Sequence, residues 1–265
     1  LKGELVHTPT ALITGASSGI GRELAREFAL NGFSLVLSAR GLPELEALAA
    51  ELRTAHQTEA HVIAADLSTA SGAFDLVDAI HARGLHVTHL INNAGYGLFG
   101  EFVSSNLDDE QRMMTLNMVS PMVLCKRLLP TILQARGKIM NVASTAAFQP
   151  GPYMAVYYAS KAFVLSFSEA LAEELTDTGV TVTALCPGPT ASGFQHRAAM
   201  HDSALVKGKQ LPTSAEVAQA AFKAMQRGQR VYIPGVVNWL FAQSIRFTPR
   251  RLVTFLVRRL SAPKP

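Results

Sequence analysis

Short apolar runs alternate with amphipathic stretches along nearly the whole chain. TALIT (10–14), SLVLS (34–38), AHVIAAD (60–66), THLIN (88–92), GKIMNVA (137–143) and VTVTALCPG (180–188) are apolar segments without strict alternation. Runs of this kind predict strands covered on both faces, and RVYIPG (230–235) predicts a last one. Between them apolar residues recur at helical spacing. The spacing predicts a helix from the first strand's turn to about Asn31–Gly32, another in LPELEALAAELRTA with Pro43 in its first turn, and others over 72–83, 108–135, 155–176 and 214–227. This alternation predicts an α/β fold, a doubly wound parallel sheet in one domain over 1–265, with no internal repeat or linker.

Composition adds limits. The 265 residues are 48% hydrophobic, enough for one sizeable core, and the low 17% of charged residues suits a surface partly buried against copies of the chain. Cys125 and Cys186 are far apart and form no disulfide framework, which fits a reducing compartment and two small buried apolar residues. The start carries no signal-peptide pattern, although it opens on Leu1 rather than Met, and no stretch reads as a transmembrane run. Together these predict a cytoplasmic protein. His81, His86 and His89 lack metal-ligand spacing, as do His196 and His201.

Candidate chemistry starts at TGASSGIG (14–21), directly after the first strand. Gly15, Gly19 and Gly21 are spaced G-x-x-x-G-x-G. A tight turn needs glycine, a pyrophosphate needs close backbone approach, and the helix that follows offers free N–H groups and its positive end. Gly15, Ser17, Ser18, Gly19, Ile20 and Gly21 are therefore the expected phosphate-binding residues; a tight turn without a ligand is the plain alternative. The second strand ends in Ser38-Ala39-Arg40, with no carboxylate to bind a ribose 2′-hydroxyl. Arg40 suits a 2′-phosphate, with Ser38 or Ser17 donating a hydrogen bond, so NADP(H) is expected over NAD(H).

The other strand ends are small or polar: Asp66 and Leu67, then Asn93, Ala94 and Gly95 in NNAG, then Ser144, then Pro187, Gly188 and Thr190 in PGPT. Each alone is turn chemistry, but together they line one edge of a sheet, where a doubly wound fold binds its ligand. AVYYASK (155–161) then places two tyrosines before Lys161. On a helix Tyr157 and Tyr158 lie about 40° and 60° from Lys161, so geometry leaves both open. An ammonium ~4 Å from a phenol, at an effective dielectric of ~20, contributes up to about 4 kcal/mol and brings an ordinary phenol toward neutrality. An ordinary helix with a packed tyrosine and a solvated lysine is the alternative.

The chain closely resembles the single-domain short-chain dehydrogenase/reductases. The resemblance rests on TGASSGIG (14–21), NNAG (92–95), Asn117 in LNM, Ser144, YYASK (157–161) and PGPT (187–190), in the family's order. It implies a Rossmann-like three-layer αβα fold, about seven strands in the order 3-2-1-4-5-6-7, and a homodimer or homotetramer. It also implies roles. The Tyr-x-x-x-Lys pattern falls on Tyr157 as general acid and Lys161 as the residue that lowers its pKa and binds the nicotinamide ribose. Ser144 orients the substrate, and Asn117 holds a water linking Lys161 to solvent. Where the family often has threonine, Ser192 keeps only the hydroxyl, and Thr190 stands where an aliphatic residue is common. The reaction implied is hydride transfer between a carbonyl and an alcohol, with 3-oxoacyl or hydroxysteroid reduction as a variant. A non-catalytic NADP-binding sensor or scaffold is the rival from another class.

Substrate information is thinner. YGLFGEF (96–102), TAAFQPGPYM (145–154) and the irregular stretch 191–211, read as a lid, are expected around the substrate. Phe99, Phe148, Met154, Phe194 and Met200 point to an apolar or lipid-like carbonyl compound, or else to packing of the lid itself. The tail 236–265 mixes apolar clusters with Arg246, Arg250, Arg251, Arg258 and Arg259 and holds most of the excess behind the net charge of +4. It reads as a cap on the pocket or a subunit interface, an interfacial helix on anionic membrane, or a dock for an acidic acyl carrier. No nucleic-acid recognition module accompanies the basic charge.

Overall fold

The computed structural model describes residues 8–191 and 211–262. Seven strands make one sheet: β1 (Thr10–Thr14), β2 (Ser34–Ala39), β3 (Ala60–Ala64), β4 (His89–Asn92), β5 (Lys138–Val142), β6 (Thr181–Leu185) and β7 (Val231–Tyr232). Their order is β3-β2-β1-β4-β5-β6-β7, and every pair is parallel. The chain runs outward from β1 to β3 and then restarts at β4 on the other side of β1. That reversal leaves a crevice beyond the carboxyl ends of the strands.

The helices are α1 (Gly19–Leu30), α2 (Leu42–His56), α3 (Gly72–Ala82), α4 (Leu107–Met114), α5 (Ser120–Gln134), α6 (Ala155–Glu174), α7 (Ser214–Gln226), α8 (Val236–Ser244) and α9 (Arg250–Ser261). The alternation along β1 builds three layers. Ala11 and Ile13 face one way, into a core with Leu24 and Phe28 of α1, Leu45 and Leu52 of α2, and Phe222 and Met225 of α7. Leu12 faces the other way, into a core with Leu76 and Ile80 of α3, Leu124 and Leu128 of α5, and Ala172 of α6. Both thiols sit inside this packing, where burial pushes Cys125 and Cys186 up to about 12.

Several strands end earlier than their apolar runs. β3 stops at Ala64, two residues before Asp66, and β6 at Leu185, ahead of Pro187. The residues beyond leave the ladder and turn over the crevice. The helix expected over 108–135 is one rod of 28 residues, Leu107–Gln134, in which a π-helical segment, Thr115–Val119, joins α4 to α5. By length and composition this rod is apolar enough to cross a membrane, which the sequence pattern did not bring out. It packs instead against α3 and the sheet, through Leu124, Leu128 and Ile132. Two helices, α8 and α9, occupy the tail.

Candidate active site

A cleft of about 1210 Å³ opens along the carboxyl edge of the sheet. That exceeds the ~300–1,000 Å³ common for a single small ligand and leaves room for a dinucleotide beside a substrate. Of the residues expected to bind cofactor or carry the reaction, all line it except Ser38, Gly21 and Asn117.

The glycine turn explains itself atom by atom. Gly15 and Gly19 have φ of 66° and 56°, the left-handed region that favours glycine. A Cβ on Gly21 would meet the Gly15 carbonyl oxygen and Asn93 Nδ2, each at 2.3 Å, so Gly21 lets α1 pack against the turn rather than touching a ligand. The turn is pinned from β4. Thr14 Oγ1 accepts from the backbone N–H groups of Asn93 and Ala94, both at 3.1 Å, and Asn93 Nδ2 donates to the Thr14 carbonyl at 2.9 Å. The first turn of α1 carries no acidic residue, which leaves its positive end open to an anion. A backbone cradle with room only for glycine, at a helix N-terminus, fits a nucleotide pyrophosphate.

At the rim Arg40 is exposed, and Ser17 lies nearby in the same lining. Ser38 is fully buried and outside the lining, so its expected hydrogen bond to a 2′-phosphate is withdrawn: its side chain points into the sheet's packing rather than the cleft. Asp66 accepts from the backbone N–H and hydroxyl of Ser68, at 3.0 and 2.6 Å, and pairs with Arg112 at 3.3 Å. Partial burial pushes this carboxyl up, but the Ser68 bonds and the charges of Arg40 and Arg112 outweigh that and hold it below its ordinary value. Arg22 and Arg112 also line the cleft and were missed. Arg22 was within reach, since it follows Gly21 in the first turn of α1, and its Nε donates to the Ser17 carbonyl at 3.2 Å. Arg112 had no local signal.

Asn117, Ser144, Tyr157 and Lys161 come from three elements and meet below NNAG. The π-helical turn aims Asn117 at Tyr96, whose N–H it accepts at 3.3 Å and to whose carbonyl it donates at 3.0 Å. Its amide also donates to Ser160 Oγ at 3.0 Å, and Ser160 in turn donates to the Tyr157 carbonyl at 2.7 Å. A Cβ on Gly95 would lie 3.0 Å from Asn117 Oδ1 and 3.3 Å from Lys161 Nζ, so this glycine is what lets the chain pass over both. Ser144 caps the short turn Thr145–Phe148, accepting from the Ala146 N–H at 3.1 Å.

The electrostatics differ from the expectation. Lys161 Nζ donates to the Val142 carbonyl at 2.8 Å and lies 5.8 Å from the centre of the Tyr157 ring, over its face. Burial lowers Lys161 to about 8. Burial also pushes the Tyr157 phenol above its ordinary value, with a hydrogen bond from Ser144 acting the other way. Burial thus opposes the lowering expected for this phenol.

Geometry also separates the two tyrosines. The Tyr158 ring lies flat on Gly151, where a Cβ would be 2.2 Å from its Cγ, and its hydroxyl is hydrogen-bonded to Ser261 of α9 and to Gln149. Tyr158 thus ties the C-terminal cap to the site floor. Val253 and Val257 of α9 pack with Met113, Met154 and both tyrosines.

The apolar side of the cleft is built mainly by the tail. Val237, Phe241, Val257 and Leu260 line it, with Leu98, Met154 and Tyr158. Of the apolar residues expected there, Met154 is in the lining, while the Phe99 ring lies tilted beside Tyr153 and Phe148 packs in a separate core. Phe194, Met200, Ser192, His196 and His201 lie outside the described residues, as does nearly all of the stretch 191–211 read as a lid. Asn238 was missed; it crowds Gly188, whose Cβ would sit 2.6 Å from its Nδ2. Among the described residues no His, Cys, Asp or Glu cluster could hold a metal.

The chain is similar to known proteins in sequence and in fold. Residues 9–202 match the short chain dehydrogenase family. A short-chain dehydrogenase from Sphingobium yanoikuyae, solved with NADPH, is 34% identical with a TM-score of 0.81, over 90% of this chain and 94% of that one. A short-chain dehydrogenase/reductase from Burkholderia phymatum, solved with NAD, is 26% identical with a TM-score of 0.79, over 97% and 98%. The very-long-chain 3-oxoacyl-CoA reductase of Scheffersomyces stipitis is 37% identical over 184 residues, 65% of this chain and 53% of that one. With the sheet order, the cradle and this match over most of its length, the chain belongs to the short-chain dehydrogenases, NAD(P)-dependent oxidoreductases acting on CH–OH and C=O groups.

Proposed function

We propose that the protein is an NADP(H)-dependent carbonyl reductase for an apolar, lipid-like substrate, with alcohol oxidation as the reverse reaction. The observation that carries this reading is the meeting of Asn117, Ser144, Tyr157 and Lys161 beside a cleft that is backbone and polar groups at one end and Val237, Phe241, Val257 and Leu260 at the other. The S. stipitis relative, a very-long-chain 3-oxoacyl-CoA reductase by name, favours a 3-oxoacyl thioester as the second reading.

The glycine cradle, with Arg40 at its rim, would hold NADP(H), which would supply the hydride when bound. Tyr157 holds the proton for the carbonyl oxygen. A phenol kept protonated by burial releases its proton only to a strong base, such as a developing alkoxide, and that is the timing reduction requires. Ser144, already bonded to the Tyr157 hydroxyl, is placed to orient the same oxygen. Lys161, with a pKa near 8, stays charged at neutral pH and stabilises the phenolate left behind. Asn117 holds the backbone of Tyr96 and, through Ser160, that of Tyr157, and so keeps the general acid in register. The low fraction of charged residues supports a homodimer or homotetramer, and two free buried thiols fit a reducing compartment such as the cytoplasm.

The test is NADPH oxidation by the purified chain against bulky ketones, ketosteroids and 3-oxoacyl thioesters. Turnover of one class is expected, with Tyr157→Phe losing about 10²–10⁴-fold while NADPH still binds, and Tyr158→Phe keeping measurable activity. NADPH binding with no turnover on any carbonyl would favour a non-catalytic sensor or scaffold.

A further inference from the structure

The cap carries more apolar surface than the protein itself buries. On α9, Val253, Val257 and Ser261 form a buried stripe with four-residue spacing. One position before each lie Leu252, Leu256 and Leu260, 45–47% exposed, so a second apolar stripe runs beside the first and faces away from the core. On α8 only Ala242 is buried, and Val236, Val237, Trp239, Leu240 and Phe241 are all exposed. Phe247, in the turn between them, is 89% exposed. A rim from far away in sequence joins this surface. Arg258 hydrogen-bonds Tyr153, whose carbonyl accepts from Gly100, and the adjoining turn exposes Phe102 and Val103. Contiguous apolar surface of this kind marks an interaction site.

Its charge is one-sided. Residues 236–265 hold five arginines, one lysine and no carboxylate, so the rest of the chain carries about −2 against the total of +4. The Arg259 guanidinium lies 5.1 Å from the Phe255 ring centre, keeping a cation beside the apolar stripe.

We propose that α8 and α9 dock on an anionic lipid bilayer, lying in its headgroup plane. A bilayer satisfies both features at once: acyl chains cover the leucine, valine and aromatic side chains, and anionic headgroups pair with the arginines. A tryptophan and several phenylalanines suit that interfacial depth. A two-fold contact with a second copy would set like charges face to face, with no carboxylate in this segment to pair them. An acidic protein partner would answer the arginines but leave the apolar side chains of two helices to be covered. Val237, Phe241 and Leu260 belong both to this surface and to the cleft lining, so on the reading of the cleft given above its mouth opens at the docked face and a lipid-like substrate enters there.

Flotation of the full chain with phosphatidylglycerol-containing and pure phosphatidylcholine vesicles tests docking without any need for turnover. Trp239 is the single tryptophan, so its fluorescence reports this face alone. Flotation is expected with the anionic vesicles only, weakened by salt, with a blue-shifted emission. Leu252→Ser with Leu256→Ser, and separately Arg251→Glu with Arg259→Glu, should each weaken binding by about tenfold or more at an unchanged melting temperature, since all four side chains are exposed. Absence of flotation, equal flotation with both vesicle types, or a dimer or acidic-protein complex formed through this face without vesicle binding would each overturn the proposal.

Discussion

The glycine cradle and the C-terminal cap line the same cleft and are held by different means. The cradle is polar and over-determined: the Thr14 hydroxyl and the Asn93 amide tie one loop to the next, and a Cβ at Gly15 or Gly21 has nowhere to go. The cap rests on two valines, a serine and one hydrogen-bonded tyrosine, and much of its apolar surface faces outward. A ligand with the same pyrophosphate in every case is suited by a rigid backbone site. A substrate of variable apolar shape is suited by side chains whose packing can change without disturbing the sheet.

Three changes would break or sharpen that contrast. The largest effect is expected from Gly21→Ala, which drives a methyl into the Gly15 carbonyl; NADPH affinity should fall by at least about tenfold and stability by about 1–3 kcal/mol, measured by titration and thermal melting. Leu256→Ala in the cap, by contrast, should leave both nearly unchanged, and equal damage from the two would erase the distinction. Next, Arg40→Asp should weaken NADPH about tenfold or more while affecting NADH little; parallel weakening would remove the cofactor preference proposed here. Smallest is the effect of acid. His89 sits edge-on to Phe28 and Phe33, and burial lowers it to about 4. Between about pH 6.5 and 4 the unfolded chain binds a proton that the folded chain refuses, so stability falls with pH across that window and levels off above it. The melting temperature should drop by a few degrees there, and His89→Phe should flatten the slope. The tail has no histidine or carboxylate, so the cap contributes nothing to this slope.

The sheet half of the molecule was legible because its constraints are local. Apolar runs, glycine spacing and Pro43 each report a backbone requirement at their own position, the alternation of strands and helices gives the parallel doubly wound sheet, and the strand order came from the family resemblance. The errors came where a side chain's surroundings mattered. Ser38 lies next to the end of β2, close to true lining residues, but the strand's alternation turns it inward. The Tyr157–Lys161 pair was weighed by charge attraction alone, whereas both groups are buried and burial is the largest effect on each. The tail's reading as a cap on the pocket agrees with Val237, Phe241, Val257 and Leu260 in the lining, whereas Phe99 and Phe148, in the loops nearest the motifs, pack elsewhere.

By itself, then, the sequence determined the elements, the parallel doubly wound sheet and the set of residues gathered at its carboxyl edge, because periodicity, glycine geometry and strand ends are properties of the chain over a few residues. Tertiary structure decided which tyrosine is tied to the cap, which serine reaches the cleft, how burial sets the protonation of Tyr157 and Lys161, and which apolar side chains line the cleft or face outward. These depend on water excluded and contacts made between segments more than a hundred residues apart, and no local pattern encodes them.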